Sequence, residues 1–314
     1  MRRGCHRFVT TVRTSDEGEP PTRSHSRHLW ATTRSRRTVQ TAGVLIRVGC
    51  QFEYEVPEPV PSLWQVRPRP DGVHHVVDES WESPAPTSTY VDAYGNACDR
   101  LTLPAGRSVL RYDATVEVPS GSDEVDETAT QATIEDLPNA AFLYLLPSRF
   151  CWPDLLASPS WDLFGALEPG WARVQAVCDW IHTNITYEVG ASTAITSAND
   201  VWESRLGVCR DFTHLGITMC RALNIPARYV AGYLPDIAVP EPDLPMDFCS
   251  WFEAWLGGRW WTFDPRNNEP RIGRVVIARG RDALDAAMVT TWGAAELQVL
   301  DVWANEVGDR SDAG

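Results

Sequence analysis

The sequence predicts an α+β protein with two domains: an antiparallel β-sandwich or small barrel, followed by a domain that mixes helices and strands. Residues 44–118 are strand-forming segments that Pro, Gly and Asp interrupt about every ten residues. Residues 171–185 and 209–223 repeat apolar side chains at helical spacing. Further segments rich in Val and aromatic residues follow the second helix, so helix and strand are mixed there.

Bulk composition excludes several classes of protein. A chain of 314 residues with 14 Trp is long and apolar enough for a sizeable core. The net charge of −14 argues against a nucleic-acid binder, because phosphate binding requires clustered positive charge. No run approaches the roughly 18 consecutive apolar residues of a membrane span, so no membrane partner is expected.

The eight cysteines are scattered and form no CxxC pair. This pattern argues against a structural zinc site and against a disulfide scaffold. Scattered cysteines in a chain of this length are typical of buried thiols in a reducing compartment, so the sequence predicts a cytoplasmic location. We expect no cofactor.

The two ends of the chain differ from its centre. Residues 1–43 contain nine Arg, three acidic residues and many Ser and Thr. This composition predicts a disordered basic tail, and a transit peptide is the alternative. Residues 306–314 are predicted to form a second disordered tail.

The first domain begins with 44–56 (VLIRVGCQFEYEV), which alternates in polarity as a half-buried strand does. An acidic, polar stretch at 119–133 reads as a linker or long loop. We therefore predict an N-terminal β domain with its linker over 44–133 and a second domain over 134–305.

The second domain contains the two predicted helices and four predicted strands. Gly257-Gly258 is expected to be a two-residue hairpin turn between the second and third of these strands. The strands are 227–234, 250–256, 259–263 and 274–280.

Cys209 opens the second predicted helix, directly after Gly207-Val208. A thiol at a helix N-terminus faces unpaired backbone N–H groups and the positive end of the dipole, which favours thiolate. The same N–H groups can hold the oxyanion that develops in acyl transfer. Taken alone, the pattern is also that of a buried structural cysteine.

The Gly-Gly hairpin places three side chains on one face of the sheet. Its register puts Cys249 opposite Arg266 and diagonal to Asp264. Asp264 is thus positioned to orient the side chain at 249. The alternative is that Asp264 caps the turn at Pro265 and pairs with Arg266.

Other residues of the hairpin are weaker candidates. Glu253 and Trp251 share the face of Cys249 in this register. Trp255 and Trp260 either shield the site from water or pack as ordinary strand residues, and we favour packing for both.

Two blocks of sequence resemble the transglutaminase-like superfamily. GVCRDFTHLGITMCRALNIPARYVAGYL (207–234) resembles its nucleophile helix and following strand, and DFCSWFEAWLGGRWWTFDPRNNEPRIGRVVIARGRDALD (247–285) resembles the strand pair with its His and Asp. The β-rich segment from Val44 is similar to the N-terminal domain of the bacterial cysteine-protease branch. The resemblance covers about 44–305. It implies a papain-like core, a Cys–His–Asp triad, and acyl transfer from amides or esters through a thioester.

The resemblance assigns Cys209 as the nucleophile and Asp264 as the orienting acid. The family's His-Ala-Trp is Cys249-Ser250-Trp251 here, and no His follows His214 in the chain. Five residues beyond Cys209 on a helix, His214 does not face the sulfur, and we expect it to pack inside the protein. His182 could reach the site only through the fold.

Three hypotheses follow. The first is a thiol protein that acts on peptide amide or ester bonds through Cys209, impaired because Cys249 occupies the histidine position. The second is a catalytically inactive module that keeps the cleft and binds a peptide or protein. In the third, Cys209, Cys249 and Asp264 bind a soft metal such as zinc.

Overall fold

The computed structural model describes residues 9–11, 43–240 and 244–308. The strands are β1 Val9–Thr11, β2 Gly43–Val56, β3 Val60–Trp64, β4 His75–Glu82, β5 Ser88–Val91, β6 Ala97–Leu103, β7 Gly106–Pro119, β8 Thr186–Tyr187, β9 Leu206–Gly207, β10 Ala227–Tyr233, β11 Cys249–Leu256, β12 Arg259–Phe263, β13 Val275–Gly280, β14 Val289–Thr291 and β15 Glu296–Glu306. The helices are α1 Asn139–Phe142, α2 Ala157–Phe164, α3 Trp171–Asn184, α4 Ala198–Ser204 and α5 Cys209–Ala222.

Two sheets form the β-rich part of the molecule. One has the order β15-β2-β7-β4, and the other has the order β1-β14-β3-β6-β5. Burial alternates along most of β2 and β7, so one face of their sheet is apolar and must be covered. Phe52 of β2 packs edge-to-face on Trp64 of β3, with ring centroids 5.1 Å apart. The sheets therefore share a core, as in a β-sandwich.

The last two strands of the chain return to these sheets. β14 pairs antiparallel with β3, and β15 pairs antiparallel with β2. Residues 289–306 therefore hydrogen-bond with strands of the predicted 44–133 domain, although they fall mainly in the predicted 134–305 domain. The boundary at 133/134 stays a prediction, and a division that follows the sheets would assign 289–306 to the β-sandwich.

Strands β10 to β13 form an antiparallel sheet of order β12-β11-β10-β13, and β8 pairs parallel with β9. Helix α5 lies against β10 and β11, and α2, α3 and α4 contact it from other sides. Because other elements surround α5, every residue from Cys209 through Arg221 is buried. The predicted helices and strands of this part are present with ends that differ by a residue, and the predicted α+β fold class is confirmed.

Contacts between the sandwich and the second sheet position the start of β11. The Tyr233 hydroxyl at the end of β10 donates a 2.9 Å hydrogen bond to the Val66 carbonyl. Phe248, immediately before β11, stacks on Phe52 with ring centroids 6.1 Å apart. The segment that leads into Cys249 is therefore anchored on the core of the sandwich.

Most of the predicted tails lie outside the described residues. Within the predicted N-terminal tail, Val9–Thr11 forms a strand parallel to β14, and Gly43 begins β2. At the other end, β15 extends through Glu306, the first residue of the predicted C-terminal tail. The structure thus extends ordered strands a short way into both ranges.

The described helices are short. The longest, α3 and α5, contain 14 residues each, which is fewer than a bilayer crossing requires. The seven described cysteines are free thiols, and all of them are buried. The cytoplasmic location stays a prediction.

Candidate active site

Cys209 is the first residue of α5, as the sequence predicts. Val208 precedes it with extended backbone dihedrals, and its N–H donates a 2.9 Å hydrogen bond to the carboxylate of Asp211 in the first helical turn. Asp211 is fully buried and forms a 2.9 Å ion pair with Arg210. A buried carboxylate thus holds the bend at which the chain enters the helix.

The first turn of α5 lies against the start of β11. The sulfur of Cys209 is 3.9 Å from the carbonyl oxygen of Phe248, the residue before Cys249. The Thr213 hydroxyl donates to the Cys209 carbonyl at 2.9 Å, and it lies 3.2 Å from the Ser250 hydroxyl. These contacts bring Cys209 and Cys249 into one region, although 39 residues separate Cys209 from Phe248 in the chain.

The predicted hairpin is present with the predicted register. Phe252 pairs with Phe263 and Leu256 pairs with Arg259, which is the register set by a two-residue turn at Gly257-Gly258. Gly257 and Gly258 have φ angles of 57° and 84°, a left-handed conformation that glycine adopts readily and the type I′ turn requires. The ladder ends at Phe252, so residues 249 and 266 lie beyond its last pair.

Asp264, directly after β12, caps a turn and forms an ion pair. One oxygen accepts the backbone N–H groups of Arg266 at 3.1 Å and Asn267 at 3.0 Å. The other accepts the Asn267 side-chain amide at 2.7 Å and the Arg274 guanidinium at 2.9 Å. Burial opposes ionisation, but Arg274 and Asn267 hold the pKa of Asp264 below its ordinary value.

The capping alternative for Asp264 is therefore present in the structure, but its ion-pair partner was predicted wrongly. The partner is Arg274 and not Arg266, because the chain after the turn brings residue 274 back alongside residue 264. Arg274 also pairs with Asp123 at 2.8 Å, and it lies over the Trp251 ring at 4.6 Å. The orienting role of Asp264 stays a prediction.

Both thiols are almost fully inside the protein, each 6 % exposed. Burial raises the pKa of Cys209, and the strongest opposing influence is the positive charge of Arg266. Burial raises the pKa of Cys249 to about 12, and the charges of Cys209 and Asp264 add to this increase. The expectation at Cys209 considered only the helix N-terminus, whereas the cost of removing the thiolate from water acts in the opposite direction and raises the pKa.

Arg266 also lies at the candidate site. The sequence pattern indicated it only as the residue opposite Cys249 in the hairpin register. Its guanidinium lies 4.3 Å from the ring centroid of Tyr187, in β8. Strand β8 pairs with β9, which ends at Gly207, two residues before Cys209. The pairing of two short strands thus brings Tyr187 and Arg266 to the nucleophile position, which local sequence patterns do not reveal.

The histidines take other positions. His214 is fully buried; its Nε2 accepts the Ala283 backbone N–H at 3.1 Å, and its ring stacks on Phe150. This agrees with the predicted packing role. His182 is exposed, and its Nδ1 lies 2.8 Å from the Arg266 carbonyl oxygen.

The remaining hairpin candidates serve the sheet. Glu253 forms ion pairs with Arg228 and with Arg279, the latter at 2.9 Å. Trp255 and Trp260 pack edge-to-face near the turn, at the far end of the hairpin from Cys249. The packing interpretation of these two tryptophans therefore agrees with the structure.

The metal hypothesis receives no support. In the part of the chain that the structure describes, no group of three His, Cys, Asp or Glu side chains is arranged to hold an ion. The carboxylate of Asp264 is also fully engaged by Arg266, Asn267 and Arg274. The three side chains share a region, but they do not form a coordination shell.

Comparison with known proteins identifies similar chains. A sequence model described as the transglutaminase-like superfamily matches residues 163–265. The crystal structure of a candidate cysteine protease from Cytophaga hutchinsonii superposes with a TM-score of 0.78 at 32 % identity, covering 86 % of this chain and 92 % of that one. The uncharacterized protein ML0607 of Mycobacterium leprae is 34 % identical over 230 residues, which are 63 % of this chain and 82 % of that protein. The uncharacterized protein Rv2569c of Mycobacterium tuberculosis is 34 % identical over 144 residues, which are 42 % of this chain and 46 % of that protein.

Proposed function

Because the chain belongs to the transglutaminase-like superfamily, we propose that it is a thiol protein that acts on peptide amide or ester bonds through Cys209, with activity limited by Cys249 at the histidine position. The observation that carries the proposal is the 3.9 Å contact between the Cys209 sulfur and the Phe248 carbonyl. This contact makes residue 249 a neighbour of the helix N-terminus that would hold the nucleophile.

In the proposed reaction, the Cys209 thiolate attacks the acyl carbon and a C–S bond forms. The bond to the leaving group then breaks, and water hydrolyses the thioester or an amine accepts the acyl group. Backbone N–H groups in the first turn of α5 are suited to stabilise the oxyanion. The chain supplies the nucleophile and the oxyanion donors without a histidine.

The family's triad histidine, whose position is occupied by Cys249 here, would perform the proton transfers. A general base removes the thiol proton, and the same group then protonates the leaving amine of an amide. Cys249 is a poor replacement, because its side chain is short and its pKa is raised to about 12. We therefore expect activated esters, whose leaving groups depart as anions, to react faster than amides.

An activated ester tests the proposal directly. The chain and its Cys209→Ala variant are incubated with p-nitrophenyl acetate between pH 7 and pH 10, and acetylated residues are mapped by mass spectrometry. We expect acetylation at Cys209 with a rate that still increases above about pH 8.5, the ordinary pKa of a thiol, because burial raises the pKa of Cys209. Equal turnover by the Cys209→Ala variant would contradict the proposal.

The second candidate function is a module that binds a peptide or protein without turnover. The burial of both thiols, together with their raised pKa values, favours it. Comparing alkylation of Cys209 by iodoacetamide with its acetylation across the same pH range separates the two functions. Acetylation by the ester would support the enzyme, and alkylation without acetylation would support the binding module.

A further inference from the structure

Arg266 is a half-buried cation held in a fixed position beside the candidate nucleophile. Its backbone N–H donates to Asp264 at 3.1 Å, and its carbonyl oxygen lies 2.8 Å from the His182 ring nitrogen. Its guanidinium lies over the Tyr187 ring, 4.3 Å from the centroid. A guanidinium stacked on an aromatic ring in this way can still donate hydrogen bonds from its edge.

The charge of Arg266 is not paired with a carboxylate in the described part of the chain. Most other buried or half-buried arginines are paired: Arg67, Arg69, Arg111, Arg210, Arg228, Arg271, Arg274, Arg279 and Arg281. Of the arginines that the structure describes, Arg173, Arg205 and Arg221 also lack a carboxylate partner, but Arg173 and Arg221 donate to backbone carbonyls and Arg205 lies over two tryptophan rings. Among the described residues, no carboxylate lies within ion-pair distance of the Arg266 side chain. Asp264 is only two residues away in sequence, but Arg274 and the turn amides occupy its oxygens.

Arg266 lies near the two thiols of the candidate site. Its charge opposes the effect of burial on the pKa of Cys209, and it also lowers the pKa of Cys249. The β8–β9 pairing sets Tyr187, over which Arg266 lies, opposite Gly207, two residues before Cys209, so the charge of Arg266 acts close to the candidate nucleophile. The whole chain is acidic, with a net charge of −14, so its overall field disfavours an anionic ligand and a local cation would be needed to bind one.

We propose that Arg266 binds a carboxylate of the peptide ligand in the candidate active site. The planar guanidinium fits a carboxylate through two parallel hydrogen bonds, a geometry that lysine does not offer. The carboxylate can come from a free peptide C-terminus or from an Asp or Glu side chain. This inference rests on the proposed function for the position of the cleft, but it does not require turnover.

Two alkylating reagents of nearly equal size measure the local charge. Iodoacetate is an anion and iodoacetamide is neutral, so the ratio of their rates at Cys209 reports attraction of a carboxylate, largely independently of the thiolate fraction. We expect Arg266→Gln to lower this ratio roughly 3- to 10-fold, as for loss of one partly screened charge contact. Arg266→Lys should largely keep the ratio, because it keeps the charge.

The matched control is Arg107→Gln, which removes one positive charge from an exposed position on β7. It should leave the ratio at Cys209 unchanged. If Arg266→Gln, folded with an unaltered melting temperature, has the same ratio as the original chain, the proposal is overturned.

Peptide binding provides a second measurement, which also decides the matter if Cys209 resists alkylation. N-acetyl-Ala-Ala with a free C-terminus is compared with its amide, and N-acetyl-Glu-amide is compared with N-acetyl-Gln-amide, by calorimetric titration. We expect one charged peptide to bind at least about tenfold more tightly than its neutral counterpart, and Arg266→Gln to remove that preference. The pair that shows the preference identifies the source of the carboxylate.

Equal affinities in both peptide pairs would overturn the proposal. Failure of the proposed catalytic function has a different signature, because it would leave these binding preferences intact while Cys209 remains unacetylated by p-nitrophenyl acetate. Arg266→Lys adds a further distinction. It should weaken the charged peptide's binding while keeping the alkylation ratio, because lysine keeps the charge and loses the two-pronged geometry.

Discussion

The sulfur of Cys209 lies 3.9 Å from the carbonyl oxygen of Phe248, so the helix that begins with one cysteine meets the strand that begins with the other. This contact joins the N-terminus of α5 to the residue just before Cys249. Whatever side chain occupies position 249 therefore starts from a backbone next to the candidate nucleophile.

Replacing Cys249 with histidine should create or strongly increase hydrolysis of p-nitrophenyl acetate. A general base close to the thiol is worth roughly 10²–10⁴ in rate. An imidazolium near Cys209 should also lower the pKa of that thiol, because a nearby positive charge stabilises thiolate. Steady-state rates and the pH dependence of iodoacetamide labelling measure both effects.

Two further variants control the histidine experiment. Cys249→His combined with Cys209→Ala should be inactive, which excludes catalysis by imidazole alone. Cys249→Ser should show no gain. If Cys249→His folds normally and changes neither the rate nor the labelling profile, position 249 does not face the nucleophile, and the binding module becomes the better explanation.

Cys209 should be alkylated before the other described cysteines. Cys209 and Cys249 are each 6 % exposed, whereas Cys178 is 1 % exposed and Cys220 is 0 % exposed. Between the two more exposed thiols, the pKa of Cys249 is raised to about 12, partly by the charge of Cys209 itself. Brief substoichiometric labelling with peptide mapping checks the order, and unfolding in urea should abolish it. Labelling of Cys178 or Cys220 first would show that the cleft is misplaced.

Replacing Asp264 should destabilise the fold. Asp264→Ala removes two turn caps and one carboxylate partner of the buried Arg274, at a cost of about 3 kcal/mol in the free energy of unfolding. Asp264→Asn keeps an oxygen for the turn N–H groups and should cost clearly less. Urea denaturation measures both variants, and equal losses would mean that the turn caps contribute little.

The buried His214 predicts a loss of stability in acid. Burial, with Arg210 and Arg221, lowers the pKa of His214 well below its ordinary value of about 6.5. Below that pH, the unfolded chain binds a proton that the folded chain does not bind, so the free energy of unfolding falls as the pH falls, by up to about 1.4 kcal/mol per pH unit.

The matched variant is His214→Gln, whose side-chain oxygen can still accept the Ala283 N–H. The difference in unfolding free energy between the original chain and this variant should shrink as the pH is lowered from 7 to 5. A difference that stays constant across this range would show that His214 has the same pKa in the folded and the unfolded protein.

Removing residues 1–42 should leave the melting temperature unchanged within error. The shortened chain keeps all of β2, whose first residue is Gly43. Strand β1 contributes a three-residue pairing with β14, which also pairs with β3. A substantial decrease in melting temperature would mean that the N-terminal residues pack on the sandwich.

Local patterns in the sequence were enough to predict the secondary structure around the site. The Gly257-Gly258 turn and its pairing register, the start of α5 at Cys209 and the alternation of β2 all follow from the periods and turn preferences of neighbouring residues. These features depend on residues close together in the chain, so a single sequence contains them.

The charge state and the partners at the site depended on the tertiary structure. The sequence placed Cys209 at a helix N-terminus and suggested a lowered thiol pKa, but the fold buries that terminus, and burial raises the pKa. Arg274 pairs with Asp264 because the chain turns back after residue 264, and Arg266 lies over Tyr187 because distant segments converge. Desolvation and long-range pairing depend on which groups surround a side chain in the folded protein. The spacing of residues along the chain does not show which groups these are.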